Sequence, residues 1–311
     1  MSTTEQSMNP SGTDESPISI PKKIALGFFF VMLLLFFTLT KLPQSKITAL
    51  IQGMVQTSLD PYGIYITDHG RELSIWKGFE YRLNQPSIEL PDQSRIELDS
   101  LVISPKIASL FTGKIGAVLE VVQEKSKLNI EGTIRGDLVD GTLKFDAIDL
   151  GKFGLLSFAG GIKGGGQLTG DIHIDGHLAD LPSLAGNIDL KLKHIHLEDQ
   201  NLFGFHLPDM DVNDGIINAT INQGKVSMKQ FVVGKGNDDL QLTLTGDISL
   251  NRNINSSNLN LRAVIGLSEK VRQSIPLLDT LLGSAKQGDG KYVYKLTGSF
   301  MAPMPMPDPQ K

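Results

Sequence analysis

Most of the chain alternates apolar and polar residues with a period of two. The alternation is clearest in five segments, which begin at Leu128, Leu168, Leu240, Leu259 and Tyr292. A period of two places successive side chains on opposite faces of a β-strand, so each segment predicts a strand with one buried and one solvated face. The sequence therefore predicts a mainly β protein, with an antiparallel β-domain over residues 61–301.

An uncharged apolar segment, Ile24–Thr40, lies between a pair of lysines and Lys41. As a helix it would be about 26 Å long, near the shortest length that spans a bilayer core, and flanking lysines can reach the headgroups. A cleaved signal peptide and a buried core helix are the alternatives, but no small-residue cleavage site follows Lys41. We predict a retained transmembrane helix over residues 22–41. Its anchor residues are Lys22, Lys23, Ile24, Phe28, Leu34, Phe37 and Lys41.

Residues 42–60 carry a second helical pattern, in which apolar residues recur every three or four positions from Ile47 to Leu59. Ser45 is a suitable N-cap, and the sequence Asp-Pro-Tyr-Gly at 60–63 is typical of a turn. We predict an amphipathic helix just outside the membrane. Its apolar face covers the end of the sheet or, alternatively, lies on lipid. The few basic residues on its polar face favour the sheet.

The two ends of the chain differ in composition from the rest. Residues 1–21 are rich in Ser, Thr and Pro and predict a disordered tail. Lysine numbers on the two sides of the predicted anchor are equal, so we place this tail in the cytoplasm only because that arrangement is commoner for a single anchor. Residues 302–311 are rich in proline, which cannot donate to a strand ladder, and predict an extended tail.

Glycine is frequent, at 32 of 311 residues, and some of the glycines lie in a repeated sequence. The pentapeptide Leu-Thr-Gly-Asp-Ile occurs at 168–172 and at 244–248, and a related sequence occurs at 296–300. The central glycines fall in the apolar phase of the alternation, where a missing side chain permits sharp coiling or a close approach of another backbone. Chance recurrence is the alternative. We predict one long curved sheet with curvature glycines Gly170, Gly246 and Gly298.

The apolar face of such a sheet needs a cover, because exposed apolar patches above a few hundred Å² are rare. Within the β-region only residues 106–111 and 268–282 have a helical pattern. Three ways of covering the apolar face remain: a closed barrel, a sheet folded on itself, and a groove filled by lipid or a partner chain. Uneven strand lengths argue against a barrel. We predict a folded-over sheet with an apolar groove lined by Leu168, Ile172, Leu242, Leu244, Ile248, Leu259 and Leu261.

Candidate chemistry is sparse. The net charge of −5 argues against a nucleic-acid partner, and the absence of cysteine excludes thiolate chemistry and disulfides. The glycine-rich segment at 160–166 lacks the ending and the helix of a phosphate loop, and predicts a flexible loop. The segment at 208–215, with Asp211 and Asp214, predicts a turn without the spacing of a calcium loop. We predict no catalytic residue and no cofactor.

Two predicted strands carry triplets of potential metal ligands on their polar faces. If these strands were neighbours, their side chains could surround a Zn²⁺ ion. However, such pairs also arise readily from composition on a wetted strand face. The sequence therefore leaves metal binding open. The triplets are His173, Asp175 and His177, and His194, His196 and Glu198.

Several features together resemble the AsmA/TamB-like envelope proteins: an N-terminal anchor, an amphipathic helix after a proline, and long strands punctuated by glycine. More specifically, the chain resembles the long form of the protein N family of type II secretion systems. That resemblance covers about residues 22–303. It depends on Leu42-Pro43, Gly78–Tyr81, Leu259–Arg262, Ser274–Leu278, Asp289–Tyr292 and Leu296–Phe300, with Pro303 soon after.

The resemblance implies a single-pass protein of the bacterial inner membrane whose β-domain lies in the periplasm. We therefore expect a non-enzymatic component of type II secretion that acts in protein export through the outer membrane, with other secretion components as partners. The alternative is an AsmA-like envelope protein that binds or transfers lipid in an apolar β-groove. A third possibility, an anchored enzyme, lacks a recognisable site.

Overall fold

The computed structural model describes a set of segments that leaves out the N-terminal region. The predicted cytoplasmic tail and every predicted anchor residue lie outside these segments, so both stay predictions. Within the described part of the chain, no helix is long and apolar enough to cross a bilayer. Residues 51–311 form one compact unit. The described residues are 44–74, 79–90, 94–158, 162–177, 179–198, 200–202, 205–275, 278 and 282–308.

The helices are few. The first, α1, is followed by a 3-10 turn that ends at Gly63, where φ is 66°. The predicted turn sequence therefore ends the helix, but the helix begins at Gln44 and includes the predicted cap Ser45. Further 3-10 turns lie at Leu181–Ser183, Ile254–Ser256 and Gly283–Ala285. The described α-helices are α1 Gln44–Leu59, α2 Ile107–Leu110, α3 Leu155–Phe158 and α4 Glu269–Ser274.

Most of the remaining described residues form strands, which are joined by turns and short loops. The strands are β1 Tyr65–Thr67, β2 Gly70–Ser74, β3 Glu80–Asn84, β4 Ser87–Glu89, β5 Arg95–Glu97, β6 Ser100–Pro105, β7 Ile115–Gln123, β8 Ser126–Arg135, β9 Leu138–Asp149, β10 Gly164–His177, β11 Ala185–Leu197, β12 Asn201–Leu202, β13 Phe205–His206, β14 Met210–Asn222, β15 Lys225–Val233, β16 Leu240–Ser249, β17 Asn258–Leu267, β18 Tyr292–Ser299 and β19 Pro303–Pro307.

One sheet of 14 strands dominates the fold. Its order is β2-β3-β6-β7-β8-β9-β10-β11-β14-β15-β16-β17-β18-β19, and each neighbouring pair is antiparallel. Strands β1, β4 and β5 form a small second sheet, and β12 pairs with β13. The prediction of a mainly β protein with a long antiparallel sheet and few helices is confirmed.

The register aligns the apolar phases of all 14 strands on one face, which we call the inner face. One residue from each strand can be followed across the sheet through directly paired positions. Apart from one glycine and one proline these residues are all apolar, so the inner face is a continuous apolar surface. The row consists of Leu73, Tyr81, Ile103, Leu119, Ile130, Leu143, Ile172, Ile188, Ala219, Met228, Gly246, Leu261, Leu296 and Pro305.

Connections at the ends of the strands cover parts of this face. Helix α4 is capped by Ser268, whose hydroxyl accepts from the Val271 N–H and donates to Asp239 (2.7 Å). This cap fixes Val271 in a cluster with the fully buried ring of Tyr292. Near α3, Phe153 and Leu150 pack in the same way against Ile148 and Leu168. Hydrophobic burial thus closes the sheet in patches and leaves other inner-face residues half-buried.

The repeated glycines lie where the sheet is irregular. Gly170 has φ 138° and stands where the β9–β10 register shifts between Leu168 and Gly170. Gly246 has φ 118° and pairs with Met228, at a similar shift in the β15–β16 ladder. Gly298 has φ 90° and pairs with Leu259. A β-bulge bends a strand and increases its twist, which supports a role for Gly170 and Gly246 in curvature.

Two predicted loops belong to strands instead. Residues 164–166 of the glycine-rich segment start β10, and Gly164 and Gly165 pair with the end of β11 before the register shifts. The segment at 208–215 was predicted to be a turn, but residues from Met210 onward belong to β14. Met210 and Val212 are buried and Asp211 is exposed, so the strand alternation continues through the Asp and Asn residues that suggested a turn.

The proline-rich C-terminal segment is also a strand. The N–H of Asp308 donates to the Val293 carbonyl (2.9 Å), so N–H groups two and four residues earlier face β18 as well. Pro303, Pro305 and Pro307 fall at the intervening positions, where an N–H would point away from the sheet. Alternating prolines therefore allow β19 to pair on one side only. The predicted extended tail is the last strand of the sheet, because edge strands tolerate proline at outward positions.

Alanine at Gly170 or Gly246 should lower the free energy of unfolding by at least about 1–3 kcal/mol, since both residues have φ in a region that favours glycine. An added Cβ would also overlap the backbone carbonyls of Asp189 and Asn260 respectively. Gly132→Ala is the matched control, because it shares the inner face but its Cβ would make only ordinary contacts. Urea unfolding of the purified protein measures the difference. Equal losses for all three variants would contradict this account.

Candidate functional site

The clearest candidate site is an apolar cavity of about 420 Å³ between α1 and the inner face of the sheet. The second half of α1 supplies one wall, and strands β3, β6, β7 and β8 supply the opposite wall. Residues of the small β1-β4-β5 sheet complete the lining at one end. The inner-face row passes through this cavity with Tyr81, Ile103, Leu119 and Ile130.

Helix α1 presents one face to the cavity because its lining residues follow helical spacing. Gln52, Val55, Gln56 and Leu59 are three or four residues apart and therefore lie on one side of the helix. Val55 and Leu59 supply the apolar part of this wall. The two glutamines place amide groups at its border. The face predicted to cover the sheet is thus only partly apolar, and a narrow apolar stripe leaves space beneath it.

Polar groups at the border of the cavity are paired with one another. The Asp68 carboxylate is largely buried, with 7% of its side chain exposed, and lies 2.7 Å from Nε of Arg71. Arg71 also donates to the Gln52 side chain on α1. On the next turn of α1, Gln56 donates to Asp60 (2.7 Å). Arg71 therefore connects β2 to the helix and neutralises the carboxylate beside the apolar space.

The base of the cavity is a small buried cluster. Tyr81, Leu83 and Leu101 are each at most 6% exposed and pack against Ile66 and neighbouring residues. Burial raises the pKa of the Tyr81 hydroxyl, so this group remains protonated over the physiological pH range. Among the described lining residues, none is a nucleophile or part of a poised acid–base pair. The cavity can therefore accept apolar groups but has no evident chemistry to perform on them.

The predicted groove residues all lie on the inner face, but none of them lines this cavity. The three most enclosed are Leu168, packed near α3, and Ile248 and Leu261, packed in the cluster around Leu184. The other four are half-buried along the row and next to it. The structure places these seven residues on one apolar face, but the described cavity lies farther along it. The half-buried four are Ile172, Leu242, Leu244 and Leu259.

The histidine triplets lie on neighbouring strands, β10 and β11, but the antiparallel register separates them. His173 pairs with Asn187, whereas His196 pairs with Gly165. His196 is hydrogen-bonded instead to Asp211 (2.6 Å), which raises the pKa of this histidine. Among the residues that the structure describes, no group of three histidine or carboxylate side chains is arranged to hold a metal ion.

Sequence reasoning missed most of the cavity residues. The alternation in β8 identified Leu128 and Ile130 as inward-facing, but not as part of a cavity. Strands β3 and β6, with five and six residues, are too short for a period of two to stand out. The available signal was the pattern of α1, whose apolar stripe required a partner.

A comparison with known proteins finds no family model, no curated protein and no solved structure that matches the chain. The functional argument therefore depends on the residues and on the geometry of this molecule.

Arg71→Ala should loosen α1 without unfolding the sheet. Because the Asp68 carboxylate is only 7% exposed and loses its partner, we expect the global free energy of unfolding to fall by about 1–3 kcal/mol, which leaves the sheet folded. Amide hydrogen exchange in residues 52–59 should accelerate, because the link from Arg71 to Gln52 is lost. Arg95→Ala, which removes an exposed pair with Glu89, is the control. Unchanged exchange in α1 would show that this link does not hold the helix.

Proposed function

We propose that the chain is a non-enzymatic, membrane-anchored envelope protein that binds an acyl chain in the cavity beneath α1. The observation that carries this proposal is the apolar lining of a 420 Å³ space that opens beside a polar border. An amphiphile has two parts that match this arrangement: an apolar chain that fits the cavity and a polar head that fits the border. The inner-membrane location and the periplasmic β-domain rest on the predicted anchor and on the family resemblance.

The size of the cavity suits one chain. A cavity of about 420 Å³ falls within the range of small-molecule sites, which is roughly 300–1,000 Å³. Each buried methylene contributes about 0.8 kcal/mol before the costs of ordering are subtracted. A single acyl chain can therefore be held without a covalent bond or a metal.

The polar border supports this orientation. The Arg71 guanidinium has more donors than its contacts with Asp68 and Gln52 use, so it can also donate to a phosphate or carboxylate. Gln56 adds an amide on the same side of the helix. A headgroup at this position would lie between α1 and β2.

A second candidate is a component of the type II secretion apparatus, as the sequence resemblance implies. The size of the sheet favours a protein that is one part of a larger assembly over a protein that carries lipid across the whole periplasm. Fourteen strands about 4.8 Å apart make a sheet roughly 60 Å wide, measured along the strand order. Partners in that case are other secretion components, and the half-buried inner face around Leu244 is a candidate contact surface. The secretion proposal keeps the predicted AsmA-like fold, in which the sheet folds over to form a groove.

The acyl-chain proposal predicts different effects of tryptophan on the two faces of β8. Ile130→Trp should fill the cavity and weaken binding of a fluorescent fatty acid about tenfold or more, equivalent to about 1.4 kcal/mol. Asn129→Trp, one residue away on the outer face, is the matched control and should bind normally. Native mass spectrometry of the detergent-purified protein provides a second readout through co-purified lipid. Full binding by the Ile130 variant would rule out this cavity as the site.

The secretion proposal predicts partner contacts on the inner face. Photo-crosslinking groups at Leu244 and Leu259 should capture acyl chains or a secretion component in cells, because both side chains face inward and are half-buried. Groups at Thr243 and Asn260 on the outer face are the controls. Labelling at the outer positions alone would show that this part of the inner face is a closed core.

A further inference from the structure

Three methionines are exposed within six residues at the C-terminal edge of the sheet. Met301 is 79% exposed, Met304 is 58% exposed and Met306 is 47% exposed. The other methionines whose side chains the structure describes are placed differently, because Met210 is buried beside Tyr292 and Met228 is half-buried on the inner face. Methionine usually fills gaps in a core, and packing does not account for three exposed copies. We call Met301, Met304 and Met306 the methionine triad.

Strand pairing puts two members of the triad on one face. Met304 pairs with Thr297 and Met306 pairs with Lys295, and both partners lie on the outer face of β18. The alternating prolines occupy the inner positions of β19, so the methionines between them point outward. Residues two positions apart on a strand have Cα atoms about 6.5–7 Å apart. Two long side chains on the same face can close that separation.

The third member lies in the turn between β18 and β19. The N–H of Met301 donates to the Asn255 carbonyl (3.1 Å), which fixes the backbone of the turn. The Met304 side chain extends toward this turn, since its terminal methyl group lies 3.3 Å from the position that a Cβ on Gly298 would take. Three residues of chain span at most about 10 Å. Three unbranched side chains, each with three rotatable bonds, can therefore bring their sulfur atoms to one point.

The chemistry of this site selects a soft monovalent ion. Thioether sulfur favours soft ions such as Cu(I), whereas zinc sites use thiolate, imidazole or carboxylate ligands. The chain has no cysteine and no histidine after His206. The nearest carboxylate on the same strand face, Asp308, is paired with Arg262 (3.0 Å). Lys295, opposite Met306, repels a bound cation in proportion to the charge of that cation, and so discriminates against divalent ions.

We propose that the methionine triad binds one Cu(I) ion through its three thioether sulfur atoms. The ion arrives as Cu(I) and is bound without a change of oxidation state, so no oxidant or reductant takes part. The proposal goes beyond acyl-chain binding and is independent of it, because no member of the triad lines the cavity beneath α1. An empty cavity and an occupied triad can therefore occur in the same molecule.

Methionine methyl groups provide a direct test. The full-length chain is purified in detergent with carbon-13 in these methyl groups, and silver nitrate in chloride-free buffer supplies Ag(I) as an air-stable soft monovalent probe. One equivalent should shift three methyl signals in the NMR spectrum. Met301→Leu, Met304→Leu and Met306→Leu should each remove one of the shifted signals. Zinc should leave all three in place. Silver shifts confined to other methionines, or an equal response to zinc, would overturn the proposal.

Affinity for Cu(I) itself is measured by competition with bicinchoninate. Each leucine variant of the triad should weaken binding about tenfold or more, because it keeps an apolar side chain but loses one of three ligands. Met228→Leu is the matched control, since it removes a thioether from the inner face and should leave the affinity unchanged. Melting curves that match the unmodified chain establish that the variants fold. Unchanged affinity in Met301→Leu would overturn the three-sulfur site, and so would an equal loss in Met228→Leu.

Discussion

The inner face of the sheet has to be kept from water, and this requirement governs the rest of the structure. Fourteen strands each contribute to one continuous apolar row, but the helices available to cover it in the described residues have 16, four, four and six residues. Coverage is therefore achieved in patches. The connections that carry α3 and α4 close two regions, and α1 spans a third without filling it. Space remains where the helix stripe is narrower than the sheet beneath it.

The same constraint explains why the candidate site is a space and not a reactive group. Most of the described polar side chains lie on the outer face or at the borders, where Asp68 and Arg71 are paired with each other. A buried acid or base in the row would pay a desolvation cost with no partner at hand. Among the described residues, the surface that encloses the cavity is therefore almost entirely apolar, with Asp68, Gln52 and Gln56 as its polar members.

The sequence predicts those strands whose local periodicity is long enough to recognise. Long strands such as β10 and β16 are evident because their alternation continues for ten or more residues. Register is a different matter. Whether His173 meets His196 depends on which residues pair across β10 and β11, which no local pattern specifies. The cavity was missed for the same reason. Strands β3 and β6 are short, and they pair with each other although β4 and β5 lie between them in sequence.

The alternating prolines of β19 make the two edges of the sheet unequal in their capacity to pair with another strand. A strand that approached this edge would find carbonyl acceptors but no donors at Pro303, Pro305 and Pro307, and so could form only part of a ladder. The opposite edge, β2, has no proline. Copies of the chain consequently cannot stack end to end through full pairing of β19 with β2, and a large open sheet is kept from growing into a fibre. Any complete added strand has to join beside α1.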